Sequence, residues 1–292
     1  MKKKQVNISK SGFGDLLEES VFSLPYYQRR YSWQEKNWRD FIESLTNLIN
    51  DDEEEKTNNS IKFFGNIILQ RQSDDDDEYY IIDGQQRLIS TSLFFLVVYE
   101  ILDDDKNGEE WEKRSIREEI KNYLLTTKQE IRINLNNPED AEDYRHLLKS
   151  SFELTNAKGK EESERVKTLI SKAKDFVQET IVNELIGEGH SVIKLYKAAK
   201  KLYFAVVTLT GNEDEIIQEM FMSLNSTGLN LSISDLLKSL LIKNRNKLKA
   251  DEVQKIWDEE IIKVITDNSE GTNINSEMNR FLLDFLLGKI WT

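Results

Sequence analysis

From Leu88 to Leu102 the chain is apolar on nearly every side. An amphipathic surface helix needs only one apolar stripe, so a helix apolar all round has to be buried. The rest of the fold must therefore wrap it. What precedes it narrows the choice further. Tyr79 to Ile82 is short, β-rich and apolar, and Asp83-Gly84-Gln85-Gln86-Arg87 separates it from the helix. The spacing predicts a strand, a tight glycine turn and a helix driven into the core.

A strand that opens a helix through a glycine makes an anion site. The first N–H groups of the helix have no partners within it, and the macrodipole favours negative charge there. Gly84 lets a phosphate approach the backbone closely. Arg87 offers a planar fork to phosphate oxygens, Asp83 can hold a divalent ion or orient a water, and Gln85 and Gln86 can hydrogen-bond a water or a base. The plainer alternative has Asp83 as a cap, Gly84 as a turn and Arg87 paired with a neighbouring acid.

Two other stretches have the same character. Tyr26-Tyr27-Gln28-Arg29-Arg30-Tyr31-Ser32-Trp33 sets two arginines among four aromatics, a mixture suited to phosphate contact and base stacking. Core aromatics beside surface arginines would read alike. Asn225-Ser226-Thr227-Gly228 lies in a loop between two helical patterns, with Ser232 and Asp235 at capping spacing for the second and Lys238 inside it. It is either a phosphate-shaped loop or a well-made helix connection.

Around these, Pro25 biases Leu24 toward extended geometry, so Phe22 to Tyr31 reads as extended chain laid across a surface. Ser32 and Glu35 have capping-box spacing. Trp38, Phe41, Ile42, Leu45, Leu48 and Ile49 follow at helical spacing, and the acidic run Asp51 to Glu55 reads as a solvated loop. Ile61 to Arg71 reads as a strand, joined to Tyr79–Ile82 across a polar connection at Ser73 to Glu78. A short helix is expected near 15–20, and longer ones at 109–125, 138–150, 161–186, 190–203, 213–224, 233–246, 251–267 and 275–290. Asn137-Pro138 caps the second of these longer helices. Strands are expected at 130–135 and 204–209. The polar stretch Lys158 to Glu164 is a candidate boundary. The apolar helical pattern at Phe281 to Thr292 raises the expectation that the chain is a fragment with an interface at its end.

Composition excludes several functions. No cysteine occurs, so no thiolate site or disulfide forms, which fits a reducing cytoplasm. The basic start, Met1-Lys2-Lys3-Lys4, has no apolar region behind it to make a signal peptide, and Leu93 to Leu102 is far too short to span a membrane. The Walker loop and its lysine are missing. The two histidines, His146 and His190, lie too far apart for a metalloprotein ligand pair. A net charge of −13 repels nucleic acid at long range, so DNA contact would need a local basic patch or another domain.

Leu24–Trp33, Phe64-Gly65-Asn66-Ile67, Ile82–Leu88 and Phe221–Lys238, in this order, resemble the N-terminal domain of the GmrSD family of modification-dependent restriction endonucleases. The resemblance covers about residues 10–245. It implies an α+β fold with a small mixed ParB/sulfiredoxin-like sheet in the N-terminal half and a larger helical part. On that reading residues 1–158 form the nucleotide-binding core and 159–292 complete the same site. It implies binding and hydrolysis of a nucleoside triphosphate with a divalent metal, Mg2+ as the expected ion, at Asp83 to Arg87. Tyr27, Gln28, Arg29, Arg30, Tyr31, Trp33, Gly84, Asn225, Thr227, Gly228 and Lys238 would contact the nucleotide, and Asp83 the metal. In many members an HNH-type nuclease domain follows and cuts modified DNA. The expected partners are thus nucleotide, that domain and, through it, DNA. A homo-oligomer is also compatible, and a membrane is not expected. Two alternatives stand beside a hydrolase: a nucleotide- or partner-binding switch without turnover, and a ParB-type DNA-binding module.

Overall fold

The computed structural model describes residues 5–18, 20–25, 28–55, 61–71, 77–105, 108–154, 167–186 and 191–210. The chain divides into two compact units: Met1–Leu24 with Arg30–Asn212, and Pro25–Arg29 with Glu213–Thr292. Of the second unit only Pro25, Gln28 and Arg29 are described. The helices expected at 213–224, 233–246, 251–267 and 275–290, the boundary at Lys158 to Glu164, the connection at 73–76 and His190 lie outside the described residues.

The first unit is mixed α+β. Its strands are β1 (Gln5–Gly12), β2 (Val21–Ser23), β3 (Lys62–Arg71), β4 (Glu78–Asp83), β5 (Ile133–Asn134) and β6 (Leu202–Thr210), in the order β1-β6-β3-β4-β2-β5. β1 pairs antiparallel with β6, and β3 with β4; β6–β3, β4–β2 and β2–β5 run parallel. The sheet is thus mostly a product of the N-terminal half, with β6 returning from beyond residue 200 to sit between β1 and β3. The described helices are α1 (Phe13–Leu17), α2 (Glu35–Glu55), α3 (Gln85–Ile101), α4 (Glu110–Leu124), α5 (Pro138–Ser151), α6 (Leu169–Glu179) and α7 (Val192–Lys200).

α3 is the buried helix that the sequence demanded. Fourteen of its seventeen residues are buried, among them Leu93, Phe94, Phe95, Leu96, Val97 and Val98 at 0 % exposure, and α4, α5, α6 and α7 all pack against it. Its inward hydroxyls at Ser90 and Ser92 find partners: Ser92 accepts from the Tyr144 hydroxyl at 2.9 Å, and Ser90 pairs with the Tyr31 hydroxyl at 2.8 Å.

Several expectations change. Phe22 is fully buried in an interior strand and not laid on the surface, because β2 slots between β4 and β5. The capping box from Ser32 does not form. α2 starts at Glu35, the Gln34 N–H donates to the Asn37 side chain at 3.0 Å, and Ser32 is engaged by Gln86. Asp51 to Glu55 is not a loop: α2 runs through it, since glutamate is a good helix former and Leu48 and Ile49 anchor the preceding turn in the core. Of the predicted helix at 161–186, residues 161–166 lie outside the described ones; in the described part α6 starts at Leu169 and gives way at Thr180–Ile186 to a π-helical turn. The predicted helix at 190–203 ends at Lys200, because the chain there enters β6. The cap at Asn137 forms as expected, accepting from the Asp140 N–H at 3.1 Å.

Two buried acids close gaps that helices leave open. Asp143, 1 % exposed, accepts from the N–H and hydroxyl of both Thr168 and Ser171, capping α6 from α5. Asp105 does the same for α7 through Ser191 and the Ile193 N–H. Replacing Asp143 with Ala leaves those buried donors without an acceptor. We expect a loss of about 3 kcal/mol, read as a lower urea midpoint with an unchanged slope.

Glu119 on α4 gathers the hydroxyls of Tyr123 and Tyr196 and the Lys200 ammonium, tying α4 to α7. Burial works to raise its pKa, but Lys200 and the two hydroxyls outweigh it and hold the carboxyl below the usual glutamate range. A depressed folded-state pKa stabilises the fold above the unfolded value and loses that stabilisation as pH falls through the folded one. Glu119→Gln should therefore be less stable than wild type at neutral pH. Its stability should fall less steeply between about pH 5 and pH 3, measured by urea unfolding across that range.

Candidate functional site

The site grows from irregularities in two strands. β4 ends at Asp83, and its pairing with β3 slips between Ile68 and Leu69, so Asp83 faces Ile68 while Ile81 faces Leu69. β3 carries a second irregularity between Phe63 and Gly65. Such bulges bend a strand and re-aim its side chains. Gly84 then caps α3 with φ +92°, a conformation that L side chains rarely adopt. A methyl group there would come within 2.9 Å of Ile67 Cγ1 and 3.0 Å of the Asn66 carbonyl. The turn fits only glycine, and it brings the first turn of α3 down onto β3.

Arg87, one turn into α3, lies across the strand at the second bulge. Gly65, at φ +130°, leaves it room: a methyl there would sit 2.7 Å from the Arg87 Nε. Its Nη1 donates to the Asn66 carbonyl at 2.6 Å. Among the described residues no carboxylate pairs with this guanidinium, so within them the plainer reading, an Arg87 matched to a nearby acid, is not met. Asp83 is half-buried and does not cap the helix. Among the described residues its carboxylate has no hydrogen-bond or ion-pair partner. A cation with spare donors and an uncommitted carboxylate thus flank a helix N-terminus whose first N–H groups point away from the helix.

The two glutamines lie inward. Gln85 is buried. Gln86 spends both ends of its amide on main chain: Oε1 accepts from the Ser32 N–H at 2.8 Å, and Nε2 donates to the Arg30 carbonyl at 3.1 Å. The side chain acts as a short stand-in for a β-bridge and fastens residues 30–32 to α3. Tyr31 drops between them into the core, where burial pushes its hydroxyl pKa well above the ordinary tyrosine value.

Arg30 is directed elsewhere. It forms ion pairs with Asp140 at 2.7 Å and Glu139 at 2.9 Å on α5, and Asp140 also accepts from the Tyr31 N–H. Burial pulls its pKa down, but the two acids offset this and hold the guanidinium above its usual value. Contact with phosphate would require it to leave that pair. Trp33 stands edge-on to Trp38, with centroids 5.2 Å apart, and to Phe64 at 6.4 Å, joining the start of α2 to the bulge beside Gly65. Such pairs contribute about 0.5–1.5 kcal/mol each beyond burial.

Of the expected site residues, the structure brings together Asp83, Gly84, Gln85, Gln86 and Arg87, with Arg30, Tyr31 and Trp33 reached through Gln86 and the bulge. Gln28 and Arg29 belong to the second unit. Tyr27, Asn225, Thr227, Gly228 and Lys238 lie outside the described residues. Gly65 and Asn66 join the site without having been candidates for it. Their signal was the Phe-Gly-Asn-Ile stretch, whose glycine has no role in a regular strand. Ser32 and Asp140 gave no such signal. No group of three or more His, Cys, Asp or Glu able to hold a metal occurs among the described residues, and no described helix is long and apolar enough to cross a membrane.

A family model described as GmrSD restriction endonuclease, N-terminal domain, matches residues 13–242, a span that takes in every residue of the site. No curated protein matches the chain.

The Gln86 clamp makes a local prediction. Gln86→Ala should leave the fold intact but free residues 30–32, so amide exchange at Ser32 should accelerate at least tenfold while the α3 interior stays protected. Unchanged exchange at Ser32 would show that the clamp does not hold this segment.

Proposed function

The chain belongs to the family of GmrSD restriction endonuclease N-terminal domains, and from that footing we propose that it binds and hydrolyses a nucleoside triphosphate at the start of α3 as the sensing part of a restriction enzyme. One observation carries the reading: Arg87 spends a single donor on the Asn66 carbonyl and meets no acid among the described residues, one turn from an equally uncommitted Asp83. A half-buried arginine and aspartate left unmatched at a glycine-capped helix N-terminus form an arrangement with a use for phosphate and little use otherwise.

Arg87 supplies charge and a fork toward the phosphates. The α3 N–H groups supply further donors, and Asp83 holds a water or an ion. The described protein groups suit Mg2+ better than an ion that needs a full protein cage, since Mg2+ takes one or two carboxylates, keeps several waters and shares the phosphate oxygens. Bound there it would neutralise phosphate charge. The protein's own share is positioning and electrostatic stabilisation, which is most of what phosphoryl transfer asks. In this reading a nuclease domain and modified DNA are engaged through the full-length enzyme.

A switch without turnover is the second reading, and the Gln86 geometry favours it: an amide with both ends on main chain is not available to orient an attacking water. Phosphate release from GTP, ATP, CTP and UTP with Mg2+ separates the two. Under the hydrolytic reading Arg87→Ala and Asp83→Ala each lower kcat by about 10²–10³, with folding intact by circular dichroism. Tight binding without release, lost in Arg87→Ala, would support the switch. Turnover that survives both substitutions would remove this site from the chemistry.

A further inference from the structure

On the far side of the sheet's β5 edge the first unit holds a cavity of about 440 Å³ between β5 and α5. That volume lies within the range of small-molecule sites, roughly 300–1,000 Å³. Its lining is mixed: Ile131 and Leu135 offer half-buried apolar surface over the buried Ile133 and Tyr144, and its polar groups include Asn134, Arg145 and Lys149. Arg145 and Lys149 are one helical turn apart, so both project from the same side of α5. Among the described residues neither meets a carboxylate. Glu130 is the one acid in the lining, against these two bases. In a chain of net charge −13, a cavity with a basic lining is a local exception.

The wall is also fixed in place. The Tyr144 hydroxyl is tied to Ser92 of α3, Asp143 next to it is held by Thr168 and Ser171, and α5 is capped by Asn137. Sites that bind small molecules are largely pre-formed in this way.

We propose that this cavity binds a small aromatic anion: a flat ring seated against Ile131 and Leu135, carrying a phosphate or carboxylate held by Arg145 and Lys149. None of its lining residues belongs to the Asp83–Arg87 turn, so the proposal stands independently of the triphosphate site.

The test titrates the full chain with phenyl phosphate, benzoate, the four ribonucleoside 5′-monophosphates and uncharged benzyl alcohol, followed by calorimetry and saturation-transfer NMR. At least one ring-bearing anion should bind, with benzyl alcohol at least tenfold weaker. The double variant Arg145→Ala/Lys149→Ala, which changes two side chains outside the core, should weaken that binding tenfold or more. Ala141→Trp, which fills the cavity, should abolish it. Arg87→Ala should leave it unchanged. A preference for the nucleotides over phenyl phosphate and benzoate would identify the ring as a base, and the reverse a simpler aryl acid. The proposal is overturned if no probe binds, if binding survives both cavity variants, or if it follows Arg87 instead. In that last case the triphosphate site stands and this one falls.

Discussion

The burial of α3 is the constraint on which the rest of this fold depends. A helix with 0 % exposure along its whole central turn cannot end freely at either terminus. Its first residue has to enter the core directly from β4, and the transition must be tight. Gly84 at φ +92° provides it, with its backbone against Ile67 and Asn66 where no larger residue fits. The same burial calls for partners for the polar groups that the helix carries inward. Ser90 and Ser92 meet hydroxyls of Tyr31 and Tyr144, and Gln86 meets the main chain of residues 30 and 32. Segments distant in sequence are thereby fastened to the helix before any ligand is considered.

This explains a division of labour inside the five-residue motif. Glycine sets the turn, Gln85 is buried, and Gln86 holds a neighbouring segment. Arg30 is drawn off by Asp140 and Glu139, an ion pair in which one partner is buried and which therefore costs desolvation that only good geometry offsets. Among the described residues, Arg87 and Asp83 remain without a partner of opposite charge. Leaving ionisable groups half-buried without a counter-charge is unfavourable for stability, and proteins concentrate such unfavourable arrangements where function needs them.

The parts of the fold legible in the sequence were those where one local rule dominates. α3 followed from apolar residues on every side, α2 from the spacing of Trp38 to Ile49, and the α5 start from Asn137-Pro138. The Asp83–Arg87 turn was legible for the same reason, because strand, glycine and helix are adjacent. The failures arose where a distant partner overrode the local rule. Ser32 has the spacing of a cap, but Gln86 takes it, which no window around residue 32 contains. Phe22 looked like surface chain because nothing nearby shows that β4 and β5 will flank it. Asp51 to Glu55 has the charge of a solvated loop, but its helix propensity prevails and α2 continues through it. The pairing of Arg30 with Asp140, 110 residues away, gave no local signal either.

The bulge at Gly65 shows how much such a non-local contact can carry. Read alone, a glycine inside Lys62–Arg71 weakens a strand and contributes nothing to packing. In the fold it is the floor on which the Arg87 side chain rests, and the adjacent Asn66 carbonyl fixes one nitrogen of the guanidinium. That single hydrogen bond orients the fork without neutralising it, since a carbonyl carries no net charge. A carboxylate in the same place would have bound the arginine more tightly and cancelled the charge that a phosphate would meet. The choice of a main-chain acceptor over an acidic side chain is therefore the feature that distinguishes a positioned, available arginine from a structural ion pair. It depends on the strand irregularity and the glycine turn acting on the same residue from opposite sides.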